Sequence, residues 1–338
     1  MNDILPIGKL STPFLNDLLS HLAAPDPQVM VGPGIGLDCA VIRLGDRLLV
    51  FKSDPITFAA DNIGWYAVQV NVNDIVTTGA LPRWFLTTLL LPEGHTTAEL
   101  IERINHQLLT ACQQIGITVI GGHTEITAGL DRPIIAGTII GEVAPGSLIT
   151  PQGARPDDRI LLTKGVPIEA TAIVAREFPQ RLAASLTLAE LEQARHFLID
   201  PGISIYREAR LASATGHVTA MHDPTEGGLV AALWELATAS QTSLVVDLAR
   251  TPIPPLSAKI CRTLGLNPLA AIASGALLMT ASAAATPQVR QTLEQACIRC
   301  VEIGRVEAGP IGVWQETPSG RRTLPRPDRD EITKLFEM

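Results

Sequence analysis

Four aspartates stand where an apolar, strand-like run ends or turns. They are Asp38 in Gly36-Leu37-Asp38-Cys39-Ala40, Asp54 in Phe51-Lys52-Ser53-Asp54-Pro55, Asp74 in Asn71-Val72-Asn73-Asp74-Ile75, and Asp223 in His222-Asp223-Pro224-Thr225. A buried carboxylate is costly unless it is paired or bound to a cation. Taken singly, each aspartate is better explained by a helix cap or an Asx turn. Taken together, carboxylates converging from separate elements form a hard-oxygen site suited to Mg²⁺ holding phosphates.

Three further segments add to this set. Asn71, Asn73 and Asp74 fall within a helical pattern, where such residues are poor interior formers; a polar patch facing a ligand would explain them. Gly121-Gly122-His123-Thr124-Glu125 follows a short apolar run, Ile117–Ile120, and its glycines would let backbone N–H groups approach anionic oxygens. Asp223-Pro224-Thr225-Glu226-Gly227-Gly228 precedes a helix, so phosphate could approach that helix's first turn. Neither a GxxxxGK[ST] loop nor a GxGxxG or GxSxG fingerprint occurs.

The elements that must position these residues are legible in the patterning. Cys39–Leu44 and Leu48–Phe51 read as a hairpin about Gly45-Asp46. A helix capped by Asp61 or Asn62 runs to about Thr78 and stops at Gly79. Trp84–Leu91 is a strand, and Thr96 or Thr97 opens a helix with one apolar face that ends at Gly116. Ile134–Val143 is a strand. The Pro- and Gly-rich stretch from Pro145 to Asp158 suits a linker. Beyond it come a strand at Arg159–Thr163, helices at Glu169–Glu177, Leu188–Phe197 and Ser204–Ala214, a strand at Val218–His222 and a helix at Leu229–Ala239. Alternation continues through Leu277–Thr280, Pro287–Ala296 and Ile298–Val306. The expected domains are 1–150, 151–315 and a surface tail at 316–338.

Composition narrows the class. With 338 residues and 46% hydrophobic content the chain is long enough for about two domains, each with a core. Its 26 basic against 34 acidic residues, net −8, disfavour a nucleic-acid partner, which needs a cationic face. Five cysteines do not suggest a disulfide framework, which points to a cytoplasmic protein. Cys297 and Cys300 have a CxxC spacing, weak evidence alone for zinc or redox chemistry. Met1–Leu15 lacks the apolar core of a signal peptide, and the uncharged stretch Thr263–Val289 is broken by Pro268, Gly275 and Pro287, so no membrane partner is expected.

Taken in order, these segments resemble the aminoimidazole-ribonucleotide (AIR) synthase superfamily, which includes selenophosphate synthetase, thiamine-monophosphate kinase and the hydrogenase maturation protein HypE. The resemblance runs from roughly Ile7 to Val313 and is nearest to the HypE branch. It rests on Gly8-Lys9-Leu10, Val72-Asn73-Asp74-Ile75 with Gly79-Ala80-Leu81-Pro82, Asp223-Pro224-Thr225-Glu226-Gly227-Gly228-Leu229, and Leu264-Gly265-Leu266-Asn267-Pro268-Leu269.

The resemblance implies an α+β, PurM-like two-domain fold. It implies an N-terminal α/β domain forming a dimeric, barrel-like core, a C-terminal α+β domain, and ATP with Mg²⁺ in a cleft between them. It assigns Asp38, Asp54 and Asp74 to metal. To the nucleotide it assigns Asn71, Asn73, Gly121, Gly122, Thr124, Asp223, Thr225, Gly227 and Gly228, with Gly121–His123 as a loop beside the phosphates. His123 and Glu125 are the candidate catalytic side chains. The implied activity is phosphorylation of a small amide- or carbamoyl-type substrate by a homodimer, with a maturation-pathway protein as partner. Alternatives are a non-enzymatic nucleotide-binding scaffold, or a phosphotransferase like selenophosphate synthetase or thiamine-monophosphate kinase. The chain departs from the HypE pattern at Glu125, usually lysine there, and at Ser274-Gly275-Ala276, usually Glu-Gly-Lys. No cysteine follows Cys300, whereas HypE ends in a carbamoyl-bearing cysteine.

Overall fold

A computed structural model of the chain describes residues 5, 7–22 and 26–337. Of the Met1–Leu15 segment read against a leader, residues 1–4 and 6 lie outside the described residues, as does the last residue of the tail. By internal contacts the chain forms two units. The first is Asp38–Ile149 with 26–32; the second runs from Thr150 to residue 337 and includes Pro33–Leu37 and the described residues up to 22. In this division 33–37 and the N-terminal segment group with the second half.

The first unit begins with β1 (Val29–Val31), β2 (Ala40–Leu44), β3 (Arg47–Ile56) and the helix α2 (Ile63–Thr77), α1 (Thr12–Ser20) lying in the other unit. It continues with β4 (Leu81–Pro92), α3 (Ala98–Ile115), β5 (Thr118–Thr127) and β6 (Ile134–Val143). Leu44 pairs with Arg47 across Gly45-Asp46, where Gly45 adopts the positive φ of 64° that the tight turn needs. The strand order is β1-β2-β3-β6-β4-β5. β4 and β5 are parallel and joined through α3, a βαβ crossover, and the other neighbours are antiparallel.

The barrel-like core expected from the resemblance is not what the chain forms. The six-stranded sheet is open: three-residue β1 pairs only with β2, and ten-residue β5 only with β4. Neither sheet of the described residues closes on itself, because closure would require those two edges to pair. The two-domain α+β architecture stands.

α2 packs against β3, β6, β4 and α3, and fourteen of its fifteen residues are buried. Asn62 stands at its N-cap, but its side chain makes no cap bond; Gln107 Oε1 of α3 accepts the Gly64 N–H at 3.2 Å instead. α3 is capped as expected, Thr97 accepting the Leu100 N–H at 3.2 Å, and it ends on Gly116 in the left-handed region.

The second unit contains β7 (Asp158–Thr163), α4 (Glu169–Glu177), α5 (Pro179–Leu182), α6 (Leu188–His196), α7 (Tyr206–Ala214), β8 (Val218–His222) and α8 (Gly228–Ser240). It is completed by β9 (Ser243–Val246), α9 (Pro255–Leu264), β10 (Leu278–Ser282), α10 (Thr286–Gln295), β11 (Cys300–Glu307), β12 (Gly312–Thr317), β13 (Gly320–Thr323) and α11 (Thr333–Phe336). Its sheet has the order β13-β12-β9-β11-β7-β10-β8, with only β9 and β12 parallel. Leu229, Leu233 and Leu236 of α8 pack on Ile160, Leu162, Leu244 and Leu278 of the sheet as its core.

Part of the tail at 316–338 is buried. Asp330, Ile332, Thr333 and Leu335 are buried, and Phe336 sits edge-on to Phe178 with ring centroids 4.9 Å apart. Pro, Arg and Asp content suggests a solvated segment, and Gly320–Thr323 is exposed, but the side chains of Asp330, Ile332, Thr333 and Leu335 turn inward.

Candidate functional site

β3 lies between β2 and β6, and its even-numbered residues face α2. Leu48 and Val50 fill that face first, and Lys52 and Asp54 follow them. Lys52 Nζ lies 3.1 Å from Asp74 Oδ2 on α2 and 3.5 Å from Asp54 Oδ2. Asp38 also acts on this ammonium electrostatically. Burial alone would lower the Lys52 pKa; the carboxylates of Asp74, Asp38 and Asp54, with Cys39, more than offset it and hold the ammonium well above the usual lysine range. The three aspartates read as metal ligands therefore gather around one half-buried lysine. Their donors are all carboxylate oxygens, a set that fits Mg²⁺, with Lys52 as the cation already among them.

The surrounding bonds fix this group. The Asn71 amide donates to Ala67 O at 2.8 Å and to Asp54 O at 3.3 Å, coupling α2 to β3. Cys39 Sγ donates to Asp74 O at 3.3 Å, holding the residue after Asp38 against the same helix turn. Asn71, Asn73 and Asp74 are all buried, so their polarity belongs to the interior and not to a solvated helix face. The signal for Lys52 was present in its spacing, since i and i+2 of a strand share a face.

Gly121–Glu125 is placed elsewhere. Sequence patterning suggested a loop, but these residues form the middle of β5, an edge strand, and are exposed. β5 is three strands from β3, about 14 Å at ordinary spacing, so this unit does not bring His123 and Glu125 to the aspartates. His123 Nε2 and Glu125 Oε2 are 3.2 Å apart on one face of the strand, and Thr124 points to the other. Gly122 has a packing reason: a Cβ there would stand 2.1 Å from Thr87 O of β4.

In the second unit, Asp223 is buried after β8, and His222 Nε2 lies 3.0 Å from Glu235 Oε2. Lys9 Nζ donates to Thr225 Oγ1 at 3.3 Å. The first turn of α8 is filled by the chain itself. Gly227 N–H is bound to Asp330 Oδ2 at 2.6 Å, Gly228 N–H to Thr225 O at 2.9 Å and Val230 N–H to Leu269 O at 3.0 Å. A Cβ on Gly228 would meet Leu269 O and Ala271 O, each at 2.7 Å. The glycines thus answer to close backbone packing, and a carboxylate of the tail holds the helix terminus that was expected to admit phosphate. A cavity of about 230 Å³ opens beside this turn, lined by Lys9, Glu226, Glu235, Arg326 and Asp330 among others. Asp330 carried no signal for this role, because nothing in its local pattern ties it to a turn 103 residues earlier.

The CxxC pair does not behave as a unit. Cys297 is exposed, whereas Cys300 is buried at the start of β11 and its thiol is pushed up to about 12 by burial. No described helix is long and apolar enough to cross a membrane.

Two open α+β units, one with a carboxylate group about α2, define an AIR synthase-type protein. The family models for the N-terminal and C-terminal domains of AIR synthase related proteins match residues 36–143 and 155–315, and the chain belongs to this family. Within it the chain lies on the HypE branch. It is 29% identical over 318 residues to a putative hydrogenase expression/formation protein of Methanocaldococcus jannaschii, covering 90% of this chain and 91% of that one. It is 30% identical over 232 residues to the carbamoyl dehydratase HypE of Cupriavidus necator, covering 68% of this chain and 63% of the relative. A solved hydrogenase maturation protein HypE in complex with ATP superposes with a TM-score of 0.71 at 24% identity, over 92% of this chain and 89% of that one, a likeness of fold.

Proposed function

We propose that this protein is an ATP- and Mg²⁺-dependent enzyme that phosphorylates a small amide- or carbamoyl-type oxygen. The observation that carries the reading is the meeting of Asp38, Asp54 and Asp74 around Lys52, in a chain of the AIR synthase related family. A relative named carbamoyl dehydratase and a solved relative holding ATP support the substrate class and the nucleotide. In such a reaction the protein positions the phosphoryl group and offsets its charge and needs no covalent nucleophile. The aspartates would hold the metal, which would supply positive charge to offset that of the phosphates. Asn71 orients Asp54 through its backbone, and Thr225 with Lys9 is the phosphate-side candidate of the second unit. A homodimer and a maturation-pathway protein partner are part of this reading.

The test is calorimetric titration with ATP in the presence of Mg²⁺, followed by phosphate release with a panel of carbamoyl and amide compounds. Binding that Asp74→Asn weakens at least tenfold, with turnover on some member of the panel, is the expected result. Wild-type protein that binds no Mg²⁺–ATP would overturn the reading. The placement of Lys52 among the aspartates favours a second reading, a nucleotide-binding scaffold without turnover. That reading predicts binding with no phosphate release on any compound.

A further inference from the structure

The Asp38, Asp54 and Asp74 group contains its own cation. Lys52 Nζ approaches both Asp74 and Asp54 closely, at 3.1 and 3.5 Å, from the strand that also carries Asp54. The Asp74 side chain is only 3% exposed and that of Lys52 only 14%, so neither partner can turn to solvent without opening the packing of α2 on β3. A divalent ion bound by the same oxygens would have to displace the ammonium or accept its repulsion at close range.

We propose that Lys52 is a resident counterion that closes the resting site to free divalent metal, so that Mg²⁺ enters only with a nucleotide that brings its own negative charge. Removing the ammonium would take the group formed with the three carboxylates from a net −2 to −3, so free divalent metal should bind more tightly without it. This inference rests on the functional reading above for its nucleotide, but its metal-free and metal-bound states can be measured without one.

The experiment titrates nucleotide-free protein with Mn²⁺, following bound metal by electron paramagnetic resonance. Wild-type protein is expected to bind only at millimolar concentrations, and Lys52→Gln to bind at least tenfold more tightly. Adding Asp74→Asn to Lys52→Gln should remove the gain, which assigns it to this group. Circular dichroism checks that the variants fold. The wild-type titration needs no variant: micromolar Mn²⁺ binding by the nucleotide-free wild type overturns the proposal outright. Equal affinity in wild type and Lys52→Gln also overturns it, even where both bind Mg²⁺–ATP and the functional reading stands. If Lys52→Gln gains Mn²⁺ affinity while neither protein binds Mg²⁺–ATP, the counterion role holds and the enzymatic reading fails.

Discussion

Asp330 accepts the Gly227 N–H at 2.6 Å, so a carboxylate just before α11 caps α8, the helix that opens at the end of the Asp223–Gly228 motif. The same side chain accepts the Ile332 N–H at 2.9 Å. Asp330→Ala would leave two N–H groups without their acceptor in a buried setting, at about 2 kcal/mol. We expect a lower thermal midpoint, with Asp330→Asn losing less because its carbonyl oxygen can still accept. Differential scanning calorimetry of the three proteins checks this; an unchanged midpoint for Asp330→Ala would refute the capping role.

Glu169 and Asp330 give the second unit a definite pH dependence. Burial pushes Glu169 up to about 7 from 4.5 and Asp330 up to about 6 from 3.8. A folded-state pKa above the unfolded value means that the native protein binds more protons, so the contribution is fully present below the unfolded pKa and is lost as pH rises through the folded one. Thermal stability should therefore fall between about pH 4.5 and pH 7, on the order of 3 kcal/mol for Glu169 alone. Glu169→Gln keeps an acceptor for the Ser274 N–H, which lies 3.2 Å from Glu169 Oε2, and should flatten the profile. A wild-type profile that rises through this range would contradict the argument.

Gly122→Ala should destabilise the first unit by several kcal/mol, because the new methyl would stand 2.1 Å from Thr87 O, a backbone atom held in the sheet. Gly94→Ala, where nothing lies within 4 Å of the added carbon, is a clash-free reference at another positive φ, 76° against 153° at Gly122. Urea denaturation of the two variants separates them: Gly122→Ala should show the lower midpoint.

Alkylation at neutral pH should label Cys297 and spare Cys300. Cys297 is exposed, whereas the Cys300 thiol is buried and pushed up to about 12, which leaves almost no thiolate. Peptide mass spectrometry after iodoacetamide treatment reads the outcome. Equal labelling of both would show that the start of β11 opens.

Elements with a clean period were legible. The strand read at Ile134–Val143 coincides with β6, and the residue runs of α4 and β8 match their ends. Asp38, Asp54 and Asp74 could be singled out because aspartate amid apolar residues is costly, a local fact. What escaped depends on contacts between distant segments. The glycines of β5 look like a turn until the approach of β4 is known, and the Asp330 cap joins elements far apart in sequence. Lys52 was visible as a residue but not as a partner, since only the packing of α2 on β3 brings Asp74 to it.

The placement of Lys52 also makes the charged group a gauge of strand alignment. β3 pairs with β2 as far as Phe51 and with β6 along its length from Leu48, with Lys52 opposite Ile139 and Asp54 opposite Gly137 of β6. Ser53, between them, donates to Gly137 O on the other side of the ladder. A slip of one residue would exchange the two faces, presenting Ser53 to Asp74 and leaving that carboxylate buried without its ammonium. Mispaired β3 therefore carries an electrostatic penalty in addition to lost apolar contact. The residues that mark out the site also proofread the sheet that holds it.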